Sequence, residues 1–304
     1  MTSARIDAEL VRRGLARSRA HAGDLIKTGR VSVRGQLVLK PSMNVGDGDD
    51  IVLVADPEDP GYASRAALKL AGALDALAGS TAGRRLADAV DGAWCLDLGA
   101  STGGFTDVLL RRAAAHVVAL DVGHDQLVGR LREDPRVTVV EGFNVRDLRR
   151  TDLAREPDLV VGDLSFISLT LVVPALAAVL APGTPVMLMV KPQFEVGKDR
   201  LGSGGVVRDP ALHVGAVLDV VLAAAAVGLN ARALVPSPLP GPSGNREFFV
   251  VFERGEPSAV APDGARSAVE AAVAWTPDDA GTTAPPVLTI VAETVTPSRT
   301  GGAS

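Results

Sequence analysis

Four apolar runs in the middle of the chain each end at a turn bearing a polar or acidic residue, and a fifth ends on a lysine. Trp94 to Leu98 carries Asp97 and runs into Gly99-Ala100-Ser101-Thr102-Gly103-Gly104-Phe105-Thr106. Val117 to Leu120 is followed by Asp121, 22 residues beyond Gly99. Val137 to Val140 is followed by Glu141-Gly142-Phe143-Asn144, and Leu159 to Val161 by Gly162-Asp163. Glycines in the first turn let a ligand approach the backbone, and Asp97 beside them can accept from a ligand's ammonium group. An acid at the tip of the second strand is where open α/β sheets hold ribose hydroxyls. The turn is neither G-x-G-x-x-G nor G-x-x-x-x-G-K-[ST], so a nicotinamide dinucleotide or a nucleotide phosphate is poorly served. The candidate cofactor contacts are Asp97, Gly99, Ala100, Ser101, Thr102, Gly103, Gly104, Asp121, Asn144 and Asp163. Lys191, after the apolar run Val186 to Val190 and before a proline, has no evident structural reason to be there.

The elements that must position these groups follow from the same pattern. A strand feeding a glycine-rich turn into a helix, here from Asp107 to Arg112, is the first unit of a dinucleotide-type fold. Such sheets bind ligands at the carboxyl edge of their strands. The long apolar stretch Leu169 to Val190 is broken by Pro174, Pro182, Gly183 and Pro185 into pieces too short to span a bilayer of about 30 Å. It predicts a buried helix, a turn and a buried strand. Hydrophobic residues make up 47 % of the chain and aromatics only 3 %, so the core is one of Ala, Val and Leu. The single cysteine, Cys95, excludes a disulfide framework and lies in an apolar run, where a buried inert thiol is expected. The four histidines show no ligand spacing, and no metal is expected. The first fifteen residues are charged and lack an apolar signal core, so a cytoplasmic protein is expected.

Charge is unevenly distributed. Residues 1 to 40 hold nine Lys and Arg against three acids, a net +6, which leaves −11 for the rest of a chain whose total is −5. Within that head, apolar Ile6, Leu10, Val11 and Leu15 predict a helix, and Arg19 to Thr28 predicts a second one closed by Gly29. Val31 to Val38 alternates around Gly35 as a hairpin, and Val45 to Val54 supplies a last strand. Two helices followed by G-R-V-x-V-x-G and a basic hairpin resemble the S4-type RNA-binding domain over residues 5 to 52. That resemblance implies phosphate contacts from Arg5, Arg12, Arg13, Arg17, Arg19, Lys27 and Arg30. A solvated charged surface is the plain alternative.

D-L-G-A-S-T-G-G-F-T-D (Asp97 to Asp107), A-L-D-V-G (Ala119 to Gly123), D-L-S-F-I-S-L (Asp163 to Leu169) and V-K-P-Q-F-E (Val190 to Glu195) together resemble the TlyA family, FtsJ-like rRNA 2′-O-methyltransferases also labelled haemolysins. The resemblance runs from about residue 5 to about residue 254. It implies an α/β fold: a Rossmann-like class I methyltransferase domain behind a small N-terminal α+β S4-type RNA-binding domain. It implies S-adenosylmethionine as cofactor, ribosomal RNA or ribosomal subunits as partner, and cytidines of the small and large subunit RNAs as targets. It also implies a catalytic tetrad of Lys69, Asp163, Lys191 and Glu247. A ribose 2′-hydroxyl must be oriented and relieved of its proton as it attacks the sulfonium methyl, and a lysine amine in apolar surroundings suits the base. Asp163 would orient Lys191 and help hold the cofactor amine, with Lys69 and Glu247 positioning the ribose.

Each of these residues has a plainer reading. Lys69 lies on a helix whose buried face is marked by Ala67, Leu70, Ala71 and Leu74, so a solvated lysine is the alternative. Asp163 followed by Ser165 could cap a helix, and Glu247 could form a surface pair with Arg246. The glycine-rich basic stretch Phe194 to Arg208 reads as an RNA contact, a lid or an ordinary loop. The expected organisation is an RNA-binding domain at 1–54, a linker at 55–62, a catalytic domain at 63–256 and a largely disordered tail at 257–304, in which Val287 to Ala292 could add a strand. Two other functions compete: a membrane-active haemolysin, disfavoured by the broken apolar run, and a non-catalytic RNA-binding assembly factor. Base methylation usually needs an Asn-Pro-Pro-aromatic run, which the chain lacks.

Overall fold

The apolar stripe of the basic head closes a small core of its own. In the computed structural model, residues 3–16, 19–54, 60–241, 243–257, 262–276 and 283–290 are described, and the chain divides into two units, Met1–Ser64 and Arg65–Ser304. In the first unit β1 (Ser3–Arg5) leads into α1 (Ile6–Arg12), and α2 (Arg19–Lys27) packs beside it. Ile6, Leu10, Ala22, Leu25 and Ile26 are buried against Val31, Val33, Val38 and Val45. Gly29 (φ +71°) ends α2, its N–H returning to the carbonyl of Ile26 at 3.0 Å, a left-handed helix stop that glycine adopts without strain. β2 (Val31–Val33) and β3 (Gln36–Leu37) form a hairpin through Arg34 and Gly35, both at positive φ. The single strand expected over Val45 to Val54 is instead two. β4 (Asn44–Gly46) pairs with β1, and β5 (Ile51–Leu53) pairs with β2. A turn separates them: the Asp49 carboxylate accepts from the N–H of Gly46 at 2.9 Å, as acids do where the chain reverses.

The second unit begins with α3 (Ala66–Ala78) and α4 (Arg84–Asp88), followed by β6 (Trp94–Leu98), α5 (Gly104–Arg111), β7 (His116–Leu120), α6 (Gly129–Arg132), β8 (Val137–Val140) and β9 (Leu159–Gly162). After α7 (Val173–Val179) come β10 (Pro185–Val190), α8 (Pro192–Glu195), α9 (Pro210–Ala226), β11 (Leu229–Pro236), β12 (Phe248–Arg254), α10 (Pro262–Ala274) and β13 (Leu288–Thr289). Among the described residues, eight strands form one sheet in the order β13-β11-β12-β10-β9-β6-β7-β8. The five strands from β10 to β8 are parallel, and β12, β11 and β13 join them antiparallel. The strand order reverses between β6 and β9, where an open α/β sheet leaves a crevice at its carboxyl edge. Leu96, Leu98, Val186, Leu188, Phe248 and Val250 share one core with α7, α9 and α10. Phe249, on the opposite face of β12, meets Phe105 of α5 with ring centroids 6.0 Å apart. The segment Leu169 to Val190 folds as the helix, turn and strand that its prolines predict.

The expectation of a largely disordered stretch from 257 onward is corrected for Pro262–Ala274. Ala265, Val269, Ala272 and Val273 recur at helical spacing and are buried in the main core. Arg246 donates to the carbonyls of Ala272, Val273 and Trp275, satisfying the C-terminal end of that helix. β13 pairs with β11 through Leu288 and Thr289, within the stretch where a strand was foreseen.

Candidate active site

β6 and β9 are parallel partners with Leu98 opposite Gly162, so their next residues, Gly99 and Asp163, leave the sheet side by side. Gly99 sits at φ +82°, and a Cβ there would lie 2.9 Å from the carbonyl oxygen of Asp163. Only glycine fits that approach. Gly103 (φ +95°) turns the chain into α5; a Cβ on it would strike Leu131 at 2.4 Å. Ser101, also at positive φ, is held by its N–H donating to Asp121 Oδ2 at 2.7 Å. The other oxygen of Asp121 accepts from the N–H of Gly123 at 2.7 Å. Asp121 thus pins two turns, and each oxygen retains a lone pair that a ribose hydroxyl could use.

Between these turns lies a cavity of 650 Å³. Of the sequence-derived cofactor candidates, Gly99, Ser101, Asp121, Asn144 and Asp163 line it; Ala100, Thr102, Gly103 and Gly104 shape the turn behind it without lining it. Phe143, Arg146, Leu164 and Gln126 also line it and were not singled out from the sequence. Phe143 stood in a quoted strand-tip motif, which was a usable signal; Gln126 had none. Asp97 is fully buried beside the cavity. Its Oδ2 accepts from Thr106 Oγ1 at 2.7 Å, while Oδ1 has no partner. Burial, and then the nearby charge of Asp163, push its carboxyl up to about 7 against the hydrogen bond from Thr106. An unpaired buried carboxylate oxygen is costly, and its chemistry fits a cationic ligand group.

A second cavity, of 680 Å³, lies on the far side of the segment Ser165–Ser168 and is lined by Lys191, Gln193, Phe194, Asn245 and Glu247. Both cavities share Ser165, Phe166, Ile167 and Ser168 as a wall. Lys191 Nζ lies 2.6 Å from Asp163 Oδ1 as an ion pair and donates its directional hydrogen bond to Ser165 Oγ at 2.8 Å. The other two candidates pair with each other beside the same cavity. Lys69 of α3 donates to Glu247 Oε2 at 2.5 Å, with both side chains buried. Lys69 is therefore no solvated lysine, and Glu247 does not pair with Arg246. Asp163 caps no helix; its carboxylate serves Lys191. Glu195, from K-P-Q-F-E, holds the shared wall by accepting from Ser168 Oγ at 2.5 Å and the N–H of Leu169 at 2.9 Å. Burial raises its carboxyl. Phe166 is at positive φ and 91 % exposed, 5.0 Å from the ring of Phe194. Ser165, Phe166 and Glu195 were visible in the motifs, but their tasks were not.

The basic stretch after Phe194 is tied down: Asn245 accepts from the N–H of Val207 and donates to the carbonyl of Gly205, both at 3.0 Å. Cys95 is buried and its thiol pushed up to about 12 by that burial, so it is no nucleophile. Among the described residues, no group of three or more His, Cys, Asp or Glu could hold a metal ion, and no helix is long and apolar enough to cross a membrane.

On the N-terminal unit, Arg5, Arg12 and Arg19 are half or more exposed while paired to acids of α1. Arg13 is turned inward, donating to Glu9 and to the carbonyls of Gly46, Asp47 and Asp49, and clamps the β4–β5 turn. Lys27 is exposed and Arg30 partly buried. Arg17 lies outside the described residues.

A parallel sheet with a glycine-rich first turn, an acid at the second strand tip and a Lys-Asp pair at the fourth and fifth defines a Rossmann-like methyltransferase. The FtsJ-like methyltransferase family matches residues 62–254, and the S4 domain matches residues 4–51. The 16S/23S rRNA (cytidine-2′-O)-methyltransferase TlyA of Mycobacterium tuberculosis is 48 % identical over 274 residues, which is 90 % of this chain and 98 % of that protein. Hemolysin A of Brachyspira hyodysenteriae is 36 % identical over 82 % of this chain and 99 % of its own length. A solved structure from Streptococcus thermophilus, named as a candidate hemolysin, superposes with a TM-score of 0.67 at 36 % identity, covering 90 % of this chain and 96 % of that one. The chain belongs to the TlyA family of FtsJ-like methyltransferases.

Proposed function

We propose that this protein transfers a methyl group from S-adenosylmethionine to the ribose 2′-oxygen of cytidine in ribosomal RNA, working in the cytoplasm where ribosomes are assembled. The observation that carries the reading is the placement of the Asp163–Lys191 pair where two cavities share a wall, with the cofactor residues on one side and Lys191 and Glu247 on the other. S-adenosylmethionine, when bound, supplies an electrophilic sulfonium methyl. Asp97 and Asp163 would hold its amine, and Asp121 its ribose. Lys191 Nζ, once its ammonium proton has passed to Asp163 or to solvent, would take the 2′-hydroxyl proton, with Asp163 and Ser165 fixing its direction. Glu247, locked by Lys69, presents a carboxylate that can accept from a ribose hydroxyl. Holding the reacting groups together supplies most of the acceleration such a site needs. The arginines of the N-terminal unit would add affinity through RNA phosphates.

The test is methyl transfer from labelled S-adenosylmethionine to purified 30S and 50S subunits, wild type beside Lys191→Ala, with the product nucleoside identified. A 2′-O-methylcytidine product lost in the variant supports the reading. Intact cofactor binding without transfer to either subunit overturns it in favour of a non-catalytic RNA-binding role.

A further inference from the structure

Asp7 is 5 % exposed in the first turn of α1, and it holds two arginines from different elements. Arg5, just ahead of α1, donates from Nε to Oδ1 at 3.1 Å and from Nη2 to Oδ2 at 2.9 Å. Arg19, the first residue of α2, donates from Nη2 to Oδ2 at 3.0 Å. The N–H of Ala8 completes the set at 2.9 Å. Arg5's hydrogen bonds, aided by Arg19, hold the carboxyl down to about 2 against its burial, so it is ionised at any physiological pH.

The two arginine side chains nevertheless stay 50 % and 59 % exposed. Nη1 of Arg5 and both Nε and Nη1 of Arg19 make no hydrogen bond among the described residues. One carboxylate therefore joins two half-exposed forks while consuming only part of each. Arg13 is the contrast: all three of its nitrogens are engaged within the unit, and it is 23 % exposed. A forked donor whose direction is already set loses less freedom on meeting a phosphate than a free arginine does.

We propose that Asp7 is a positioning residue for RNA binding, holding Arg5 and Arg19 as a preset pair for backbone phosphates. This rests on the RNA-binding reading of the N-terminal unit given above. It carries an unusual sign. Replacing Asp7 by Asn adds one positive charge to the surface, which by charge alone tightens RNA binding. Positioning requires the opposite: affinity weakens by about three- to tenfold, as expected for releasing one or two ordered side chains.

The experiment is binding of the full-length chain to a fluorescein-labelled RNA hairpin, titrated at several KCl concentrations, for wild type, Asp7→Asn, Arg5→Ala/Arg19→Ala and the triple variant. Expected are weaker binding by Asp7→Asn and a salt dependence flatter by about one phosphate contact. In the background lacking both arginines, Asp7→Asn should no longer weaken binding. Unchanged or tighter binding by Asp7→Asn overturns the proposal. So does weaker binding with an unchanged salt slope and a lowered melting temperature, the signature of a merely structural acid. Wild type that binds the hairpin with no salt dependence overturns the RNA-binding reading itself, a result distinct from both.

Discussion

Lys191 and Glu247 flank one rung of the antiparallel ladder between β10 and β12, since Val190 and Phe248 are register partners and each of the two residues stands one position outside them. Their side chains line the same cavity while taking separate partners, Asp163 for Lys191 and Lys69 for Glu247. The four residues proposed as the tetrad thus form two ion pairs at the carboxyl edge of the sheet.

If Lys191 accepts the hydroxyl proton, its amine is irreplaceable. Both Lys191→Ala and Lys191→Arg should lower single-turnover methyl transfer by at least about 100-fold, the usual worth of a positioned acid or base. Arginine keeps the charge beside Asp163 but cannot give up a proton. Recovery of more than a tenth of the rate by Lys191→Arg would mean that the position supplies charge and not proton transfer.

The Lys69–Glu247 pair separates stability from activity. Removing one partner strands a buried charge, and Lys69→Met should cost about 3–5 kcal/mol in denaturant unfolding. Lys69→Met combined with Glu247→Leu leaves no unpaired charge and should recover most of that loss. Methyl transfer should stay absent in the double variant, because the carboxylate facing the cavity is gone. An active double variant would demote the pair to scaffolding.

The candidate site's edge was readable from sequence because strand tips and glycine turns are local patterns. Asp97, Asp121 and Asp163 each lie at or near the end of an apolar run, and chain order alone puts them on one edge of a parallel sheet. The Lys69–Glu247 contact was not readable without a family pattern, since its partners are 178 residues apart and nothing in R-A-A-L-K-L marks the lysine as buried. The role of Arg246 was hidden for a related reason. The helix it caps opens on Pro262-Asp263-Gly264 and is followed by Thr276-Pro277-Asp278-Asp279-Ala280-Gly281, a composition that masked the stripe of Ala265, Val269, Ala272 and Val273. Arg13 shows the limit of reading charge: equal in type to Arg12 beside it, it differs only in facing the carbonyls of the β4–β5 turn.

Gly99 can be tested against a glycine under similar backbone strain. Gly92 is also left-handed (φ +70°), but a Cβ there meets nothing within 4 Å. Gly92→Ala should cost only about 1–2 kcal/mol of stability. Gly99→Ala adds the collision with Asp163, which lines the cofactor cavity, so it should also weaken S-adenosylhomocysteine binding by at least about tenfold in calorimetry. Equal cofactor affinity in the two variants would remove the close approach of Gly99 from the binding argument.

The pH dependence of cofactor binding turns on Asp97. Its carboxyl is raised from an ordinary 3.8 to about 7 in the folded protein. A raised acid favours folding in its neutral form. That contribution is present in full below the unfolded value and is lost as pH climbs through about 7, so this group alone makes the ligand-free protein less stable toward neutral pH. A cationic ligand group reverses the preference by pairing with the ionised carboxylate. Below the range where an α-amino group loses its own proton, binding S-adenosylmethionine should therefore release close to one proton at about pH 5.5, falling to about half a proton at about pH 7. Affinity should fall by up to about tenfold for each pH unit of acidification. Calorimetry in buffers of different ionisation heat reads the proton directly. Asp97→Asn, neutral at every pH, should bind weakly and with no slope across that window. A wild-type affinity that stays flat from about pH 5.5 to 7 would show that Asp97 does not change protonation on binding, and with an Asp97→Asn affinity equal to wild type the assignment of its free oxygen to the cofactor's ammonium would fall.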